Sequence, residues 1–299
     1  MEISGLGSFL VPPTSPIEEI MIPDFQSRGV RLLLKRDDKI PGILNGNKYR
    51  KLRLNLLNAR EEGYQSLATC GGAYSNHLLA LSVAGKEFGF DTFGFVRGEE
   101  PKKRSSVLKK CEKNGMVISW VGRAQYRMRE SPEFPISWMA DICEDAYWVP
   151  EGGTNKLAVA SCSHIVDEID EDFDYLCLPC GTGGTFAGCL SSLVNRAYGI
   201  GIPVLKGGEY LTGEIKKWLS IMGVNNNSWH LDARFHFGGF AKTSNALVDF
   251  AERFFKASNY TYKPDLVYNA KALYGVFQLV REGAIPQGAK VIYLVTQSQ

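Results

Sequence analysis

Arg31-Leu32-Leu33-Leu34-Lys35, Ser66-Leu67-Ala68-Thr69-Cys70, Asp91 to Val96, Asp174-Tyr175-Leu176-Cys177-Leu178 and Val291-Ile292-Tyr293-Leu294-Val295 are short apolar runs separated by stretches of helical spacing. This alternation constrains the fold more than any other feature of the chain. Strands that alternate with helices build α/β units around mostly parallel sheets. Met116 to Trp120, Tyr147 to Pro150 and Ile202 to Leu205 add further strand candidates. Lys51 to Glu62 has helical spacing, with Leu52, Leu56, Leu57 and Ala59 on one face and Gly63 as a stop. Further helices are expected from Ser75 or Asn76 to Phe88, from Leu157 to Glu168 and from Thr185 to Tyr198. Asn225-Asn226-Asn227-Ser228 reads as a surface loop.

Composition removes several function classes. A net charge of +2 gives no reason to expect nucleic acid or an anionic membrane as partner. The basic stretch from Lys102 to Lys113 is interleaved with acidic residues and reads as a solvated helix face. No apolar run reaches the ~18 residues of a membrane span. The segment Met1-Glu2-Ile3-Ser4-Gly5 lacks the pattern of a secretory signal. Seven scattered cysteines suit a reducing compartment, so the expectation is a cytoplasmic protein. Cys177-Leu178-Pro179-Cys180 has no second pair to complete a zinc site and lies on an expected buried strand. No histidine among His77, His164, His230 and His236 has a partner at metal-ligand spacing, so no metal is expected.

Three glycine-marked motifs carry chemistry. The run Asn45-Gly46-Asn47-Lys48-Tyr49-Arg50-Lys51-Leu52 delivers Lys48 to a helix start. A lysine becomes a carbonyl-capturing nucleophile when desolvation or nearby cations favour its neutral form, and Arg50 and Lys51 are close in sequence. Taken alone, Lys48 reads as an ordinary exposed lysine; only the companion motifs favour the nucleophile. Cys70-Gly71-Gly72-Ala73-Tyr74-Ser75-Asn76-His77 places a hydroxyl and backbone amides at another helix start, where a carboxylate can bind. Simple N-capping needs only one of these residues. Gly181-Thr182-Gly183-Gly184-Thr185 fits a backbone phosphate cradle or a tight structural turn; it is neither GxGxxG nor a Walker A loop. A lysine amine, a polar helix start and an anion cradle together are the parts of a pyridoxal-phosphate (PLP) site.

Those motifs, with Lys35-Arg36-Asp37-Asp38, Pro150-Glu151-Gly152-Gly153-Thr154-Asn155 and Val267-Tyr268-Asn269-Ala270-Lys271-Ala272, occur in an order and spacing that resembles the ACC deaminase/D-cysteine desulfhydrase family of PLP-dependent enzymes (ACC is 1-aminocyclopropane-1-carboxylate). The resemblance implies fold type II, the tryptophan-synthase-β-like α/β class. That class has two open, twisted, mostly parallel α/β domains with the cofactor in the cleft between them. Residues 1–51 and 157–299 would form the large domain and residues 52–156 the small inserted one. It implies that Lys48 attaches the cofactor as a Schiff base and shuttles the substrate Cα proton. Asn76 would bond the 3′-oxygen. Ser75, with the amides of Asn76 and His77, would hold the substrate carboxylate, and Ser75 can also act as a base. Lys51 and the backbone of Gly181, Thr182, Gly183, Gly184 and Thr185 would bind the phosphate, Tyr268 would line the site, and Asn269 would face the pyridine nitrogen. A homodimer is implied as well.

Departures from the family pattern bear on the substrate. ACC deaminases carry Ser-Asn-Gln where this chain has Ser75-Asn76-His77, and a glutamate where it has Asn269. A neutral amide favours a protonated pyridinium less than a carboxylate does, which suits β-elimination better than cyclopropane opening. Phe240 aligns with a family tyrosine and has no hydroxyl to act as acid or nucleophile. The family pattern His-Thr-Gly-Gly is replaced by Val295-Thr296-Gln297-Ser298-Gln299. The expected function is therefore a lyase that takes D-cysteine, or a related β-substituted D-amino acid, to pyruvate, ammonia and sulfide. The alternatives are ACC deamination, a racemase or hydroxy-amino-acid dehydratase on the same fold, and a non-catalytic homologue.

Overall fold

The structure is a computed structural model that describes residues 7, 11–42, 44, 46–131, 133–140 and 142–297. Asn45 of the first motif and Ser298-Gln299 of the altered end lie outside the described residues. The strands are β1 (Ile17–Ile20), β2 (Arg31–Arg36), β3 (Ser66–Gly71), β4 (Asp91–Arg97), β5 (Val117–Val121), β6 (Ala146–Val149), β7 (Tyr175–Cys180), β8 (Tyr198–Pro203), β9 (Trp229–Leu231) and β10 (Lys290–Val295). The helices that carry the argument are α1 (Gly46–Glu61), α2 (Asn76–Phe88), α3 (Lys156–Asp167), α4 (Gly184–Ser192) and α5 (Asn269–Glu282). The chain divides into two compact units. One comprises Met1–Pro13, Pro41–Leu44 and Lys48–Ala158; the other comprises Thr14–Ile40, Asn45–Asn47 and Val159–Gln299.

In the second unit six strands lie in the order β1-β2-β10-β7-β8-β9. Among the described residues only the β1–β2 pair of this sheet is antiparallel. Both faces of the sheet are covered, so its strands read as continuous apolar runs rather than alternating ones. The alternation appears instead in which core each residue enters. Leu32, Leu34, Val291, Tyr293 and Val295 pack with Val276 and Leu279 of α5. Leu33, Ile292 and Leu294 face the opposite way, against Val159 and Ile165 of α3 and Phe186 and Leu190 of α4. Each such side chain contributes about 2 kcal/mol by leaving water. In the first unit the four parallel strands run β5-β4-β3-β6. Cys70, Phe95, Val121 and Tyr126 centre one of its cores. Helix α2 stops at Gly89, left-handed at φ 68°.

Three local expectations fail, each to a tertiary cause. The helix after the third glycine loop ends at Ser192, and Tyr198 opens β8 instead. Its N–H donates to Asp174 O at 2.9 Å, and Gly199 and Gly201 leave room for α4: a Cβ on Gly201 would stand 2.7 Å from the Phe186 ring. Sheet pairing and close helix packing override the helical pattern there, and the strand expected over Ile202 to Leu205 becomes Tyr198–Pro203. The Asn225–Ser228 loop is not wholly superficial. Asn226 is buried, with Nδ2 donating to Leu190 O (2.8 Å) and Oδ1 accepting from Ser228 N (2.9 Å). The edge strands β1 and β9 went unread.

Candidate active site

In the first unit, Lys48 and Lys51 stand three residues apart on α1 and so share a face. Both ammonium groups donate to the carbonyl of Gly152, Lys48 at 3.3 Å and Lys51 at 2.6 Å, and Lys51 also donates to Thr154 Oγ1 at 2.6 Å. The Gly152 carbonyl turns toward them because Gly152 and Gly153 are both left-handed, at φ 67° and 71°. The shared carbonyl sets the two amines beside one another, and a neighbouring cation is one condition that favours the neutral, nucleophilic form of a lysine amine. The segment is fixed further by Asn155, which caps α3 through Ala158 N (2.9 Å) and pairs with Asn55.

Ser75 is the N-cap of α2, its Oγ accepting from Leu78 N at 3.3 Å. The capping geometry also accounts for Gly71, since a Cβ there would come within 2.8 Å of Ser75 Oγ. Asn76 is half-buried beside it. His77 is 2% exposed and lies beneath the helix start. Its Nε2 sits 2.9 Å from Thr69 Oγ1, whose own proton goes to Val149 O at 2.6 Å. Thr69 can therefore only accept from His77, which places an imidazole proton on Nε2. His77 Nδ1 has no hydrogen-bond partner within bonding geometry among the described residues. Burial, then the charges of Lys48 and Lys51, hold His77 well below the ordinary 6.5, against a weaker pull from the Pro150 carbonyl.

A stability test follows. Well above pH 6.5 His77 is neutral folded and unfolded, and contributes nothing to pH dependence. Below it the unfolded chain takes up a proton that the folded chain refuses. Stability then falls with acidification by up to ~1.4 kcal/mol per pH unit until the folded group also titrates. His77→Gln is expected to flatten that slope in urea titrations between neutral pH and mild acid; an unchanged slope sinks the assignment.

In the second unit, Gly181 to Thr185 joins β7 to α4. Gly183 is the N-cap at φ 78°, and no side chain caps the helix. Asn47 Nδ2 donates to Thr185 Oγ1 at 3.1 Å, and Asn47 N donates to Thr296 O at 2.9 Å. Lys48 is the next residue in the chain. Tyr268 closes the loop from one side, since a Cβ on Gly181 would stand 3.3 Å from its ring. Phe240 packs edge-on against Tyr268, ring centres 5.8 Å apart. Asn269 is wholly buried. Its Nδ2 donates to Asp265 Oδ2 (2.6 Å) and Gln297 O (3.2 Å), and its Oδ1 lies within hydrogen-bond reach of Tyr293 OH (3.1 Å) and Thr296 N (3.3 Å). The structure thus brings Tyr268, Phe240, Thr185 and Gly181 together in this unit, and Lys48, Lys51 and His77 together in the other.

The profile of the family described as pyridoxal-phosphate dependent enzyme matches residues 16–207. The chain belongs to this PLP-dependent enzyme family. It is 28% identical, over 96% of its length and 90% of the relative's, to a provisionally named ACC deaminase of Pyrococcus horikoshii. It is 23% identical, over 94% of its length and 75% of the relative's, to a bifunctional D-cysteine desulfhydrase/ACC deaminase of Arabidopsis thaliana. A solved ACC deaminase homologue superposes with a TM-score of 0.79 at 23% identity, covering 98% of this chain and 94% of that one, which shows a shared fold.

The residues present fit PLP. The uncapped, glycine-built start of α4 leaves backbone N–H groups and the helix dipole to meet a phosphate. Contacts that the sequence reading missed are Thr69, Thr154, Asn47, Asp265 and Lys271. Asn47, Gly152, Thr154 and Lys271 lie within the glycine-marked and family motifs, but the link of Gly152 and Thr154 to the lysines is a contact across about a hundred residues, which no local pattern encodes.

Proposed function

We propose that the protein is a PLP-dependent lyase acting on a small amino acid, favoured D-cysteine or a related β-substituted D-amino acid, by α,β-elimination. The observation that carries this choice is Phe240 edge-on against Tyr268. The aromatic wall there holds one hydroxyl instead of two, which removes a group suited to opening a cyclopropane and leaves elimination untouched. Lys48 is the attachment point for the cofactor, Asn76 a partner for its 3′-oxygen, and Gly181 to Thr185 with Lys51 the hold on its phosphate. When bound, PLP supplies the electron sink for negative charge at the substrate Cα.

The chain's own groups do the rest. The α2 start, with Ser75 and the amides of Asn76 and His77, holds the substrate carboxylate. Lys48, beside the substrate, would take the Cα proton. The Cβ–S bond breaks, sulfide leaves as the Cβ–Cα double bond forms, and released 2-aminoacrylate takes up water to give pyruvate and ammonia. Among the described residues no helix is long and apolar enough to cross a membrane. A cytoplasmic homodimer is part of the same reading; a mass of one chain in solution by light scattering would contradict the dimer.

Separate incubations with D-cysteine and with ACC test the substrate. Sulfide and pyruvate from D-cysteine, with no 2-oxobutyrate from ACC, are expected. Turnover of ACC alone would overturn the preference, and no product from either would favour a non-catalytic homologue.

A further inference from the structure

The loop that carries Phe240 is strained. Phe237, Gly238, Gly239 and Ala241 have φ of 51°, 89°, 113° and 55°. Glycine adopts such angles freely, but Phe237 and Ala241 do not, and strain of this kind persists only where the surroundings over-determine it. Here the surroundings are one face of α5 and its cap. Lys271 Nζ donates to His236 O at 3.0 Å and to Gly239 O at 2.7 Å. One turn on, the Tyr274 ring takes the Phe237 ring edge-on at 5.0 Å. A Cβ on Gly275 would stand 2.7 Å from the Phe235 ring, so the backbone before the loop presses close to the helix. His236 Nδ1 accepts from Gly238 N at 2.9 Å. Held at these points, the loop projects Phe240, 42% exposed, over Tyr268.

We propose that Lys271 is a positioning residue for substrate selectivity: by holding two carbonyls of the strained loop it sets Phe240 against Tyr268 as the wall that limits the size of the group on the substrate's β-carbon. This rests on the reading of Tyr268 as a lining of the reaction site. Lys271 is wholly buried and touches the loop backbone, so it acts through Phe240. Burial pulls its amine down to about 8, with Asp265 opposing. A neutral amine keeps two N–H groups, enough for both carbonyls, so the hold survives loss of the charge.

The test uses PLP-loaded wild type, Lys271→Met, Lys271→Arg and Phe240→Ala. Two quantities are read: amide exchange in residues 236–242, and kcat and KM for D-cysteine and for S-alkyl-D-cysteines of increasing size. Lys271→Met is expected to speed exchange in that segment by about tenfold while α5 and the sheet are unchanged. It should also shift the kcat/KM ratio toward the larger substrates by about fivefold, mostly through KM. Phe240→Ala should give the same shift with wild-type exchange in the rest of the loop, and Lys271→Arg should restore slow exchange. Should Lys271→Met not fold, Lys271→Gln takes its place. Wild-type exchange in the Lys271 variant, or faster exchange with an unchanged ratio, overturns the inference. If wild type turns over none of these amino acids the proposed reaction fails. The same ratio is then read from binding, by titrating each amino acid against the cofactor's visible absorbance, and absence of any binding overturns this inference too.

Discussion

Lys48→Ala protein is expected to lose the visible absorbance of covalently attached cofactor and to lose turnover by ~10³-fold or more, while remaining folded. The magnitude follows from removing both the attachment point and the group that moves the Cα proton, since positioned acid–base groups alone are worth about 10²–10⁴-fold. Folding should survive because alanine is the best helix former and Lys48 is only half-buried near the start of α1. Lys51 does not stand in for it. Its ammonium is held by the Gly152 carbonyl and the Thr154 hydroxyl, both at 2.6 Å, and its side chain is buried. Lys48 lies at 3.3 Å from the same carbonyl and is half-buried, where Lys51 is buried. Borohydride reduction followed by peptide mapping distinguishes them. A label on Lys48 in wild type and none in the variant is expected. A label on Lys51, or a visible band persisting in Lys48→Ala, would overturn the assignment.

How much of this was legible beforehand depended on distance along the chain. Strands β2, β3, β4, β7 and β10 were readable because a parallel strand covered on both faces must be a short continuous apolar run. The start and stop of α2 were readable because Ser75 and Gly89 act within one helical turn of the ends they fix. Tyr198 was misread as helix because its strand partner Tyr175 is distant in sequence. The same limit governs the site. Gly181 to Thr185 announces an anion cradle locally, through residues that only a tight backbone needs. Some partners that fix the neighbouring side chains come from afar, Gly152 for both lysines and Gln297 for Asn269; Asp265 for Asn269 and Thr69 for His77 lie close along the chain, but a side-chain contact of that kind leaves no residue pattern of its own. The altered end shows why a residue pattern is incomplete as a guide. Thr296 and Gln297 act through backbone groups that any residue type supplies, as acceptors from Asn47 N and Asn269 Nδ2 and as a donor to Asn269 Oδ1.

Asn269→Asp, a change of one amide nitrogen to oxygen, is expected to destabilise the protein by about 4 kcal/mol at neutral pH. Asn269 donates two hydrogen bonds from a site with no solvent access, one to the Asp265 carboxylate at 2.6 Å and one to Gln297 O at 3.2 Å. An oxygen in that place loses both and sets two carboxylates in contact, where like charges cannot both persist without water. Asp265 has its own work at the start of α5: it accepts from the backbone of Val267, Tyr268 and Asn269 at 2.8–3.1 Å. Pushing it away therefore loosens the segment that places Tyr268 beside Gly181. The melting temperature should fall by roughly 10 °C, and the deficit should shrink on acidification, because a proton taken up between the two carboxyl groups restores one hydrogen bond. The family resemblance assigns Asn269 to the cofactor's pyridine nitrogen, which gives a contrasting outcome. If the amide serves the cofactor alone, the apo variant melts as wild type does and only the loaded protein's absorbance changes. A large loss of stability in the apo protein, reversed in part by acid, would identify Asn269 as the tie between α5 and the chain's last described residues.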